Sequence, residues 1–143
     1  METVEKKIGT NMKVWLSTLW IFVSVNYIFC DVLSLMEPGA LKDLVNGTGA
    51  IQMTQGLLLA AGISLEIPFV MIVLSRALNY KINRGLNIVA GILMVIYQLA
   101  SFFAGPSALH YIFFSIIEIL GDLLIAVLAW KWRNPEAKLN SNA

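Results

Sequence analysis

Four apolar stretches set the terms for any fold this chain can adopt. They run from about Val14 to Leu35, Ala50 to Ser75, Leu86 to Ala104 and Leu109 to Trp130. A helix rises ~1.5 Å per residue, so about twenty residues cross a hydrocarbon core ~30 Å thick. Lipid offers no water to satisfy backbone N–H and C=O groups, and the stretches are far too long for barrel strands, so they must be helices. The pattern predicts an all-α fold, a bundle of four transmembrane helices over residues 14–132. A short segment, 1–13, precedes it and a tail, 133–143, follows it.

The composition agrees and removes other classes. Of 143 residues, 58% are hydrophobic and 13% charged, against roughly 25% charged in a soluble domain. That length holds four spans and leaves no room for a separate catalytic domain. A net charge of +1 provides no basic face for nucleic acid. The single cysteine, Cys30, excludes an internal disulfide, a CxxC pair and a thiolate cluster. With one histidine, His110, and no Gly-rich phosphate loop, neither a Ser/His/Asp set nor a metal or cofactor site is expected. Lys6, Lys7 and Lys13 before the first stretch give it the look of a secretory signal. Its apolar run exceeds the roughly 7–15 residues of a signal core and no small-x-small cleavage site follows, so a retained helix is expected.

Basic residues predict the orientation. Lys6, Lys7 and Lys13, then Arg76, Lys81 and Arg84, then Lys131, Arg133 and Lys138 fall on one side of the four-span layout, and Lys42 falls opposite. The positive-inside rule then puts both termini and the middle loop in the cytoplasm of a plasma (inner) membrane protein. Trp15, Trp20, Tyr80, Tyr111, Trp130 and Trp132 stand near the segment ends, where aromatic side chains anchor at the interface. Between the first two spans, Leu41, Leu44 and Val45 have the spacing of a short interfacial helical turn.

The informative residues are those that do not belong in lipid. Ser17, Trp20, Ser24, Tyr27, Asp31 and Ser34 recur at alternating spacings of three and four on the first helix, with Asn26 beside them. The second helix carries Gln52, Gln55, Leu59, Gly62 and Glu66. The third carries Asn87, Gly91, Met94, Gln98, Ser101 and Gly105, and the fourth Tyr111, Ser115, Glu118 and Asp122. Each such face is expected to point into the bundle, with Ile, Leu, Val and Phe facing lipid. Glu118 and Asp122 straddle the middle of the fourth span, and Glu66 and Gln98 fall within roughly 6 Å of the midplane. Asp31 lies nearer the external surface. Glu66 precedes Pro68 by two residues. Proline has no N–H to offer the Ser64 carbonyl, so a kink and a free carbonyl are expected beside the carboxylate.

No Lys, Arg or His falls inside a span to neutralise these acids. An ionised carboxylate at the bilayer centre costs at least ~2.5–3.5 kcal/mol, so the acids must be protonated, surround a cation or line a wet cavity. Glu118 and Asp122, four residues apart on one helical face, suit a shared proton or a bound cation. The residues therefore point to a proton- or cation-coupled transport or small-ligand-binding bundle. Its site would comprise Glu66, Glu118 and Asp122 with Gln98, Asn26, Tyr27 and Asp31, and its ligand would be a cation or a small cationic or amphipathic molecule. The competing expectation is an accessory or binding protein whose protonated acids are interhelical hydrogen-bond partners. A bundle this thin is expected to form a homo-oligomer among membrane lipids.

Several runs also resemble a known family. Leu19-Trp20-Ile21-Phe22, Asn26-Tyr27, Asp31 and Leu33-Ser34-Leu35 are similar to an uncharacterised family of small prokaryotic four-helix membrane proteins, a domain of unknown function. So are Glu66-Ile67-Pro68, Leu74-Ser75-Arg76 and Tyr111 through Glu118. The resemblance spans Val14 to Trp132 and implies a bacterial or archaeal membrane protein with no activity to carry over. Small multidrug exporters also have four short helices and an intramembrane glutamate, but theirs lies in the first helix, where this chain has Asn26 and Asp31.

Overall fold

A computed structural model describes residues 2–48, 54–104 and 108–133. Five helices follow one another: α1 (Glu2–Leu35), α2 (Ala40–Asn46), α3 (Gln55–Ala77), α4 (Tyr80–Ala104) and α5 (Leu109–Lys131). Four of them, all but α2, are long and apolar enough to cross a membrane. The expected start of the second span at Ala50, with Gln52, and the expected end of the third face at Gly105 lie outside the described residues.

Two helices extend beyond the apolar stretches that announced them. α1 begins at Glu2 rather than near Val14, and α4 begins at Tyr80 rather than Leu86. Apolar length measures the hydrocarbon crossing, whereas a helix stops where its backbone bonds stop. At α4 the signal is Asn79, whose Oδ1 accepts from the Ile82 N–H at 3.2 Å and caps the first turn. The α3–α4 link is therefore only Leu78 and Asn79. The expected interfacial turn is a short helix, α2. Gly39 and Gly47 bracket it at φ 95° and 65°, left-handed conformations that only glycine adopts without strain. Leu41, Leu44 and Val45 on α2 are exposed.

α1 is the central element, packed against α3 on one side and α5 on the other, while α4 packs on α5. Its buried positions Leu16, Trp20, Val23, Tyr27 and Cys30 repeat at spacings of four and three, the seam of left-handed helix packing. Met71 of α3, Ala90 and Met94 of α4, and Ile125 and Ala129 of α5 complete the core. Small residues bring α5 close to its neighbours. A Cβ on Gly121 would fall 2.7 Å from Val23 Cγ2, and one on Gly91 would fall 3.0 Å from the Asp122 carbonyl oxygen.

α3 departs from the expected orientation. Its buried residues are Pro68, Met71 and Ser75, whereas Gln55, Leu59, Gly62 and Glu66 are exposed. The polar face of the second span thus points away from the core. The reason lies in the packing: α3 leans on α1 through the Pro68–Met71–Ser75 face and meets α4 only lightly. That leaves an apolar groove between α3 and α4, lined by Ile63, Val70, Leu86, Val89 and Leu93, with Glu66 in its wall.

Candidate functional site

α5 supplies the centre of the site. Ser115, Glu118 and Asp122 stand one turn apart on its inward face, and each is fully buried. α1 contributes Tyr27, whose hydroxyl donates to Asp122 Oδ2 at 2.9 Å. α4 contributes Gln98, whose Nε2 donates to Ser115 Oγ at 2.9 Å. Two helices, α1 and α4, therefore converge on one short segment of α5.

The carboxylates are short of partners. Both Glu118 oxygens and Asp122 Oδ1 are buried with no hydrogen bond among the described residues. A buried polar atom left unmatched costs roughly 1–3 kcal/mol, and a charged one costs more. No cation offsets this: the one ion-pair contact among the described residues joins His110 Nδ1 to Glu37 Oε1 at 3.9 Å. His110 also meets Ser34 Oγ at 3.2 Å, so it ties the end of α1 to the start of α5. Nor do three His, Cys, Asp or Glu side chains gather as a metal site among the described residues. The segment from Ser115 to Asp122 can accept protons or a small cation through three free carboxylate oxygens, with Tyr27 and Ser115 at its edges.

Of the expected site residues, Glu118, Asp122, Tyr27 and Gln98 are brought together on three helices. The other three are elsewhere. Asn26 Nδ2 donates to the Phe22 carbonyl of its own helix at 2.8 Å. Asp31 is exposed, because the seam that buries Tyr27 continues through Cys30 and Ser34, one residue out of step with it. Glu66 is exposed in the α3–α4 groove. The four acids do not share one pocket.

A family model for a family of unknown function, DUF6326, matches residues 4–138. The chain belongs to DUF6326. No curated protein and no solved structure matches it. The DUF6326 match takes in α3, α4, α5 and all but the first two residues of α1, and with them every residue of the carboxylate site.

This DUF6326 chain also holds a polar cluster that its hydropathy pattern hid. Asn87 Oδ1 accepts from Trp20 Nε1 at 2.7 Å and from Ser75 Oγ at 3.1 Å. Its Nδ2 donates to the Asn83 carbonyl and to Asn83 Oδ1, and Asn83 Nδ2 donates to the Ser75 carbonyl at 2.6 Å. Beside it, Arg76 Nε donates to Ser17 Oγ, which donates to the Ile72 carbonyl. The cluster joins α1, α3 and α4, and the four-residue spacing of Asn83 and Asn87 was its sequence signal. A second tie closes the α4–α5 pair. Arg84 Nε and Nη2 donate to the Ala129 and Trp130 carbonyls at 3.2 and 3.0 Å, and Tyr80 Oη donates to the Trp132 carbonyl at 2.8 Å.

Proposed function

We propose that this DUF6326 protein is a small membrane bundle that couples proton or cation binding at Glu118 and Asp122 to transport, or to binding of a small cationic ligand. One observation carries the reading: three carboxylate oxygens in the middle of α5 are fully buried, with no hydrogen-bond partner and no cation beside them among the described residues. A purely structural network would satisfy those acceptors. Intramembrane acids of this kind mark proton relays and ion paths. Tyr27 is the group placed to pass or hold a hydrogen bond as Asp122 changes protonation. The basic residues favour an orientation with both termini in the cytoplasm of the plasma membrane. Glu66 favours a homo-oligomer, since a carboxylate exposed at mid-membrane depth needs cover that the single chain does not provide.

The second reading, an accessory protein with protonated acids serving as hydrogen-bond partners, is favoured by the Tyr27–Asp122 and Gln98–Ser115 bonds. Each of them joins two helices.

Proteoliposomes carrying a trapped pH indicator separate the two. Under an imposed gradient of alkali cations or cationic amines, wild type is expected to change internal pH and Glu118→Gln to lose the response while keeping its melting temperature. Equal silence from both proteins across the series would refute the coupled reading. A collapse of stability on Glu118→Gln would favour the structural one.

A further inference from the structure

We infer that the pocket where α4 begins and α5 ends binds an anionic phosphate group of the kind borne by an acidic lipid headgroup. Tyr80, Arg84, Trp130, Lys131, Trp132 and Arg133 line it. Three of the six are cations and none is an acid. Among the described residues the positive charge is in surplus. The C-terminal end of a helix carries about half a negative charge, and Arg84 meets it through the Ala129 and Trp130 carbonyls. Lys131 and Arg133 add to this without a carboxylate among the lining residues.

Arg84 is also pre-oriented for an oxyanion. A guanidinium has five N–H donors, of which two are held by those carbonyls, so the others are fixed in direction and open to acceptors. Rigid guanidinium groups of this kind recognise phosphate oxygens. The second, independent observation is Trp132. It is 4% exposed, stands edge-on to Tyr80 with ring centroids 5.1 Å apart, and keeps its indole N–H buried with no acceptor among the described residues. A buried donor left unmatched calls for an acceptor such as a bound water or ion, and a phosphate oxygen is one.

Position favours lipid as the source of the phosphate. The lining residues sit at the ends of two membrane spans, Tyr80–Phe103 and Leu109–Lys131, where headgroups lie. Indole and phenol rings are at home at that depth, and basic pockets between helices at the membrane boundary take acidic headgroups. The pocket lies apart from the carboxylates of α5 and stands whether or not they bind protons.

Native mass spectrometry of the full chain in neutral detergent tests this, with phosphatidylglycerol, phosphatidylcholine and inorganic phosphate as probes. Wild type is expected to hold phosphatidylglycerol at least tenfold more tightly than phosphatidylcholine. Lys131→Gln combined with Arg133→Gln is expected to weaken that binding roughly 30-fold, at ~1 kcal/mol per basic residue, with the lipid-free melting temperature unchanged. Arg84 is left intact because it also fastens α5. Saturable binding of inorganic phosphate, abolished by the same double substitution, would support the phosphate site with a soluble source. Equal retention of both lipids with no phosphate binding, or undiminished binding by the double variant, would overturn it.

Discussion

The Tyr27 hydroxyl on α1 donates to Asp122 Oδ2 on α5 at 2.9 Å, across 95 positions of sequence. It is the only hydrogen bond to either carboxylate of the Glu118–Asp122 pair among the described residues. Tyr27 thereby fixes the height of α1 against α5 and holds one oxygen of Asp122 in a defined direction.

Tyr27→Phe removes that donor and leaves every Asp122 oxygen unmatched. A loss of about 1–3 kcal/mol is expected, read as a lower melting temperature in detergent. An unchanged melt would show that the bond contributes nothing to the fold.

Asn87→Leu tests the cluster between α1, α3 and α4. The substitution strands Trp20 Nε1 and Asn83 Oδ1, both buried, and should lower stability by about 1–3 kcal/mol. Asn26→Leu is the matched control. Its amide bonds only its own helix, so its melting temperature should stay near wild type.

Gly121→Ala should be costly although alanine is the better helix former. The added carbon would meet Val23 Cγ2 at 2.7 Å. Val23 is fully buried and β-branched, so it has little freedom to turn aside. A penalty of about 1–3 kcal/mol is expected, and Val23→Ala on top of it should recover part of the loss. Simple additivity of the two substitutions would refute the contact.

A single cysteine at Val70, in a Cys30→Ser background, reports on assembly. Val70 is 48% exposed in the groove beside Glu66. Mild oxidation of membranes is expected to yield disulfide-linked pairs of chains. A cysteine at exposed Val127 on α5 should give none, and monomer from both positions would count against a homo-oligomer built on the α3 face.

The fold was legible because membrane crossing is a matter of length, which apolar runs record directly. The faces of α4 and α5, and that of α1 as far as Tyr27, were legible too, since Trp20, Asn87, Ser115 and Asp122 are polar and a single chain has enough packing to bury them; Asp31 at the end of the α1 stripe is exposed. α3 broke the rule. Polarity alone points its Gln55–Glu66 face inward because lipid rejects polar groups, yet a second chain can cover Glu66 as well as a core can. Asn83 was missed for a related reason: it lies in the first turns of α4, ahead of the apolar run, where polarity looks like solvent contact. In sequence Arg84 is only a charge that favours an orientation, and nothing in its context announces that it reaches the Ala129 and Trp130 carbonyls. Spacing along one helix is local, whereas the partner of a side chain is set by how helices are laid beside one another.

The Asn83–Asn87–Ser75–Trp20 cluster grips α3 near its junction with α4, and beyond it the two helices flank the apolar groove. Mechanically, α3 resembles a beam fastened at one end to α4 and along its length chiefly to α1. A load near Glu66 would act on the arm of that beam, at a distance from the Glu118 and Asp122 segment that α1, α4 and α5 enclose.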